Sequence, residues 1–158
     1  MNRLLKVFLA IGLIGGFAFS AQGVESAAPS FWSNIQNPAG SEKLMREFHG
    51  VKLGMKRDEV HTAAGKPENS SENSEDYKLT GEDTMTVHYD GEMVKAIQLA
   101  FLDPKNAPPW KDVVGEMEAS ELPNGAKTAR KTIETEKFWV SIYQSKDGSL
   151  VRITISRL

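Results

Sequence analysis

The sequence predicts an α+β fold of two tandem units, each made of short helices packed on a three-stranded antiparallel sheet. Three observations carry that expectation. Residues 50–67 read as a glycine turn, one short helix and a sharp stop. Residues 84–89 and 138–144 alternate apolar and polar side chains with the period of two expected of a strand that has one buried face. Asp90-Gly91-Glu92-Met93-Val94-Lys95 returns as Asp147-Gly148-Ser149-Leu150-Val151-Arg152, each time opening the last strand of its unit.

In chain order, residues 1–23 read as a secretory signal peptide. Arg3 and Lys6 precede an apolar run over residues 7–19, too short to span a bilayer comfortably, and small residues follow at Ala18, Ser20, Ala21 and Gly23. Cleavage after Gly23 is expected, Ser20 is the alternative, and an uncleaved membrane anchor is the competing reading. Residues 24–49 form an extended leader and a first helix. The leader's one apolar cluster, Phe31 and Trp32, either tucks into the core or anchors a partner. Ser41 is positioned to cap a helix through His49, with Leu44, Met45 and Phe48 as its apolar stripe.

Residues 50–102 form the first helix-plus-three-strand unit. Its helix runs from the Gly54 turn to the Gly65 stop, with Asp58 and Glu59 in the first turn and Pro67 just beyond the end. Val60, Ala63 and Ala64 share its packing face, and Arg57, Glu59 and Thr62 lie away from it. The rest of the unit is expected to lie as sheet against this helix. Residues 68–76 are polar and rich in turn formers, a solvated loop. Strands follow at 77–79, 84–89 and 93–102, the last two joined by Asp90-Gly91. Residues 103–109 are a linker. The second unit, 110–158, begins with a short helix at 110–117 that Gly115 weakens, then strands at 127–134, 138–144 and 150–156.

Composition limits the function classes. Of 158 residues, 19 are basic and 21 acidic; without Arg3 and Lys6 the mature chain is more acidic still. That balance argues against a nucleic-acid partner, whose phosphates call for a basic stripe, and no polybasic amphipathic helix points to a membrane surface. With no cysteine the chain has no disulfide, no thiolate nucleophile and no site for an N-terminal lipid. A chain of this size buries a real core without metals or bridges.

Gly-Met-Lys-Arg-Asp-Glu-Val followed by Ala-Gly-Lys-Pro over residues 54–67, then a polar loop, a tyrosine strand and Tyr-Asp-Gly, resembles the SmpA/OmlA, or BamE-like, family. The tandem arrangement is similar to that of the beta-lactamase inhibitor protein family. The resemblance covers residues 50–102 and implies a helix-plus-antiparallel-sheet module that works in the bacterial envelope by binding other proteins, as an assembly accessory or an inhibitor. Two departures stand out. Lys56 occupies the place of the family's Thr or Ser cap, and no cysteine is present to carry the lipid of the assembly members.

Motifs for catalysis are missing from the sequence. It holds no Gly-x-Ser-x-Gly elbow, no phosphate-cradling loop and no Cys/His pair, and Gly65-Lys66 ends a helix rather than opening one. His49, His61 and His88 have no metal-ligand spacing, and Asp58, Glu59 and Asp90 are explained by helix starts and turns. No cofactor and no enzymatic activity are expected. The candidate binding residues are Trp139 and Tyr143 on one strand face and Arg152 beside them, since aromatics and arginine make interface anchors. The competing reading buries both faces of that sheet, and Trp110 reads as a core plug. The expected function is a non-enzymatic, periplasmic or secreted soluble binding module with an envelope-protein partner and no membrane span after cleavage. The alternative is a small-ligand or metal binder using the cleft between units.

Overall fold

The computed structural model describes residues 43–158; the expected signal peptide, its cleavage site, and the leader with Phe31 and Trp32 lie outside the described residues. Among the described residues the dominant element is a single sheet of eight strands, entirely antiparallel.

The described residues begin at one border of the core. Leu44 is buried, and the Met45 amide donates to the Val113 carbonyl at 3.1 Å. Glu47–Phe48 (β1) pairs with Val51–Lys52 (β2) around a turn in which His49 and Gly50 both have positive φ, 48° and 78°. The helix expected through His49 is therefore not formed. A helix that short has little stability of its own, and the hairpin buries Val51 completely while packing Phe48 on the core. Arg57–Ala64 (α1) is the expected second helix, ended by Gly65 at φ 84°. Lys56 leaves its N-terminus without a side-chain acceptor, but the Glu59 carboxylate accepts the Lys56 amide at 2.7 Å, half of a capping box.

Asn69–Ser70 (β3) and Ser74–Lys78 (β4) follow, then Thr84–Asp90 (β5) and Met93–Phe101 (β6). A 3-10 turn, Pro104–Asn106, leads to Trp110–Val114 (α2), which ends at Gly115, φ 74°, and so falls three residues short of the helix expected over 110–117. Ser120–Glu121 (β7), Lys127–Ile133 (β8), Phe138–Gln144 (β9) and Val151–Arg157 (β10) complete the chain. The strand order is β3-β4-β5-β6-β10-β9-β8-β7.

That order overturns the expectation of two helix-on-sheet units. β6 and β10 pair through six residues each, Val151 opposite Phe101 to Ser156 opposite Ala96, so the two runs of strands form one sheet. The physical reason is edge satisfaction: β6 and β10 are the long final strands of their meanders, and leaving both as open edges would expose two rows of unpaired backbone groups. The helices are correspondingly minor. Val60 is the buried residue of α1, and Ala63, expected on its packing face, is exposed.

Alternation puts Met85, Val87, Ile97, Leu99, Ile153, Ile155, Val140 and Ile142 on one face, all essentially inaccessible. A bulge opposite His88 and Tyr89 lets Val94 and Ile97 both point inward. The hairpin β1–β2, α1, the 103–109 segment and α2 contribute Val51, Val60, Ala107, Val113 and Val114 to the core on that face. Trp110 is half-buried against it, the plug expected from the sequence.

Ile155 lies in the seam, opposite Ile97 on β6 and Val140 on β9. Ile155→Ala is expected to cost about 2–5 kcal/mol, and urea unfolding followed by tryptophan fluorescence and by far-UV circular dichroism should lower one shared transition. Two separated transitions, one for each half, would contradict a single cooperative sheet.

Candidate functional site

The other face of the sheet has the opposite character. It carries Asp76 and Lys78, Thr86 and His88, Ala96, Gln98 and Ala100, Thr154 and Ser156, Ser141, Thr128 and Arg130, and none of them is fully buried. All three residues expected to bind a partner stand on it. Tyr143 lies directly opposite Arg152 on β10, and Trp139 lies opposite Ser156. Both aromatics are half-buried and Arg152 is exposed, so the reading in which both faces are buried does not describe this sheet.

Trp139 and Tyr143 are four residues apart, which separates them by about 13 Å along the strand. They are two anchors rather than one cluster. Trp139 has its own arginine, which the sequence reading missed: the Arg130 guanidinium carbon sits 4.1 Å from the ring centroid. Arg130 reaches the ring from the diagonal cross-strand position, two residues from Thr132, the direct partner of Trp139. Period-two alternation in residues 127–134 was the signal that could have placed it on that face.

The sequence reading also missed a buried polar centre. Residues 68–76, expected to be a solvated loop, contain β3 and the start of β4, and Glu75 is 2 % exposed. Its Oε2 accepts hydrogen bonds from the Tyr89 hydroxyl at 2.6 Å and the Tyr77 hydroxyl at 2.8 Å. Its Oε1 meets His61 Nε2 at 2.9 Å, Arg57 at 3.1 Å and the Ser70 hydroxyl at 3.3 Å. Arg57, expected to face solvent, stacks 4.2 Å over the Tyr89 ring and donates to the Glu72 carbonyl at 2.7 Å. The polar composition of this stretch hid a position that the pleat of β4 turns inward.

Burial by itself pushes the Glu75 carboxyl up, but hydrogen bonds from Tyr89, His61 and Tyr77, with the charge of His61, outweigh it and hold the group at about 2. Burial, reinforced by Glu75, pushes both tyrosine hydroxyls well above their usual range. Every lone-pair direction of the carboxylate is occupied. The chemistry that results is a tie between α1, β3, β4 and β5, with no lone pair left for a substrate. Asp83, 1 % exposed, does the same for the 103–106 turn, accepting from the Leu102 amide and the Asn106 side chain at 2.7 Å each.

No family model matches this chain, and no curated protein matches it. Among solved structures it is similar to a DUF4309 family protein, YjgB, from Bacillus subtilis subsp. subtilis str. 168. The two share 13% identity, with 74% of this chain and 88% of that one covered, at a TM-score of 0.48. No functional inference follows from a likeness of that size. The single eight-stranded sheet overturns the SmpA/OmlA resemblance, together with the tandem beta-lactamase-inhibitor-like arrangement. The motif at residues 54–67 does open a short helix, but the strands after it belong to a continuous eight-stranded sheet rather than a separate helix-plus-sheet module.

The histidines do not converge on a shared site: His49 stacks on Phe48 at 4.2 Å, His61 is committed to Glu75, and His88 stands on the outer face. Among the described residues no group of three or more His, Cys, Asp or Glu is placed to hold a metal.

Glu75→Gln is expected to cost about 3 kcal/mol at neutral pH, because Arg57 and two tyrosines lose a charged acceptor. The pH dependence has a definite sign. The folded-state value of about 2 lies below the ordinary 4.5, so the contribution is whole above about pH 5 and is lost as pH falls toward 2. Urea titrations of both chains between pH 7 and pH 2 should show the gap closing over that window; a constant gap would exclude Glu75 as its source.

Proposed function

We propose that this protein is a non-enzymatic, exported binding module that docks another envelope protein on the outer face of its sheet. The two aromatic–arginine pairs carry the reading: Trp139 under Arg130, and Tyr143 opposite Arg152, on a face with no fully buried residue. Amphipathic aromatics held by neighbours offer contact area at low entropic cost, and arginine adds directional donors.

Charge narrows the partner's chemistry. Among the charged residues that the register places on that face, Lys78, Arg130 and Arg152 stand with Asp76 and Asp90, a small basic excess in a chain that is acidic as a whole. The complementary partner is a folded protein presenting an acidic surface. Six strands about 4.8 Å apart and about 23 Å long give on the order of 600 Å², somewhat under the ~800 Å² that one side of a standard interface contributes. The complex is accordingly expected to be reversible. Export rests on the basic, apolar and small-residue pattern of residues 1–23.

The test is retention of a partner from envelope extract by the tagged chain, compared with Trp139→Ser/Tyr143→Ser and with Arg130→Glu/Arg152→Glu. The expected result is one protein with an acidic surface, held at low salt, weakened by high salt and lost with both double variants while each keeps its unfolding temperature. A protein retained equally by all three chains would remove the outer face from the interaction.

A further inference from the structure

A cleft on the core-facing side of the sheet has a chemistry that the outer face does not share. It lies where the end of β10 and the β8–β9 turn meet the segment after β2, and its volume is about 480 Å³. Cavities of roughly 300–1,000 Å³ hold small organic ligands, and a bare inorganic ion would leave most of this one empty.

Charge decides what fits. Four lining residues are cationic and one, Glu136, is acidic. Glu136 is already committed, accepting from Arg46 at 2.9 Å and 2.7 Å. Lys52 reaches Glu47 at 3.4 Å. Lys137 and Arg157 have no ion-pair partner among the described residues.

The positions of those two cations are built into the backbone. The pleat of β10 places Arg157 in the same row as Ile153 and Ile155, opposite Phe138. Its guanidinium rests against Gly54, where an added Cβ would stand 2.7 Å from Nη2. Lys137 occupies a left-handed turn position, φ 56°, which glycine adopts at less cost, and its carbonyl accepts the Leu158 amide at 3.0 Å. Between them the accessible apolar wall is half-buried Leu53, with Phe138, 5 % exposed and carrying the Arg46 guanidinium over its ring, showing an edge behind it.

We infer that this cleft binds a small amphiphilic anion, its carboxylate or sulfonate met by Arg157 and Lys137 and its apolar body lying on Leu53 and the exposed edge of Phe138. The site is independent of the outer face, because Phe138 and Trp139 point to opposite sides of the same strand.

Fluorescence titration of the full chain with 8-anilinonaphthalene-1-sulfonate tests it, with N-phenyl-1-naphthylamine as the same ring system lacking the sulfonate. One saturable sulfonate site is expected, displaced by dodecanoate and weakened by salt. Arg157→Gln and Lys137→Gln should each raise its Kd about tenfold, the loss of one charge-assisted contact. Both replaced side chains are exposed, and unchanged unfolding temperatures would show that the fold persists. Undiminished binding in the double variant, or equal binding of the uncharged probe, overturns the assignment. The Trp139→Ser/Tyr143→Ser chain should bind the sulfonate as the native chain does. A loss there would move the probe to the outer face and likewise overturn it, whereas failure to retain a partner protein leaves the cleft's titration unaffected.

Discussion

Six cross-strand pairs between β6 and β10, running from Val151 against Phe101 to Ser156 against Ala96, turn two strand meanders into one sheet. The central apolar row depends on them: Ile97 meets Ile155 and Leu99 meets Ile153, and all four are inaccessible to solvent. Without that seam each meander would end in an open edge and half of the core would lose its facing neighbour. The outer edges of the sheet are closed differently, by β3 and β7, two residues each. Short edge strands offer little template for pairing with other chains.

Continuity of the sheet is also what gives the molecule two distinct chemical surfaces. One face is covered by a hairpin, two short helices and a turn, and holds the apolar core. The other is left polar and basic, with Trp139 and Tyr143 as its large side chains. At the end of β10 the covered face runs out before the strand does. Arg157 therefore occupies a core-row position with a cation, against Gly54 and opposite Phe138. The cleft and the outer face arise from the same pleat, read on its two sides.

The buried carboxylates serve the covering layer rather than a reaction. Glu75 gathers donors from α1, β3, β4 and β5, and Asp83 gathers them from the segment after β6. A buried charge of this kind is weak support for stability by itself, since desolvation offsets much of the attraction. Its effect is geometric: with five donors around Glu75, α1 is held in one position although Val60 is its only buried side chain.

The sequence by itself determined most strands, the Asp90-Gly91 and Asp147-Gly148 turns, the stop at Gly65, and the shared face of Trp139, Tyr143 and Arg152. These are local matters: alternation over a few residues and the conformational freedom of glycine decide them wherever the segment ends up. Tertiary structure alone decided the rest. Residues 47–52 became a hairpin because Val51 and Phe48 had a core to enter. Glu75 became buried because Arg57, His61, Tyr77 and Tyr89 arrived from elsewhere in the chain to satisfy it. Two expected units became one sheet because β6 and β10, whose paired residues are 50 to 60 apart in sequence, satisfied each other's backbone. Such long-range pairings leave no local periodicity to read, since either strand alternates in the same way whether its neighbour is water, a helix or another strand.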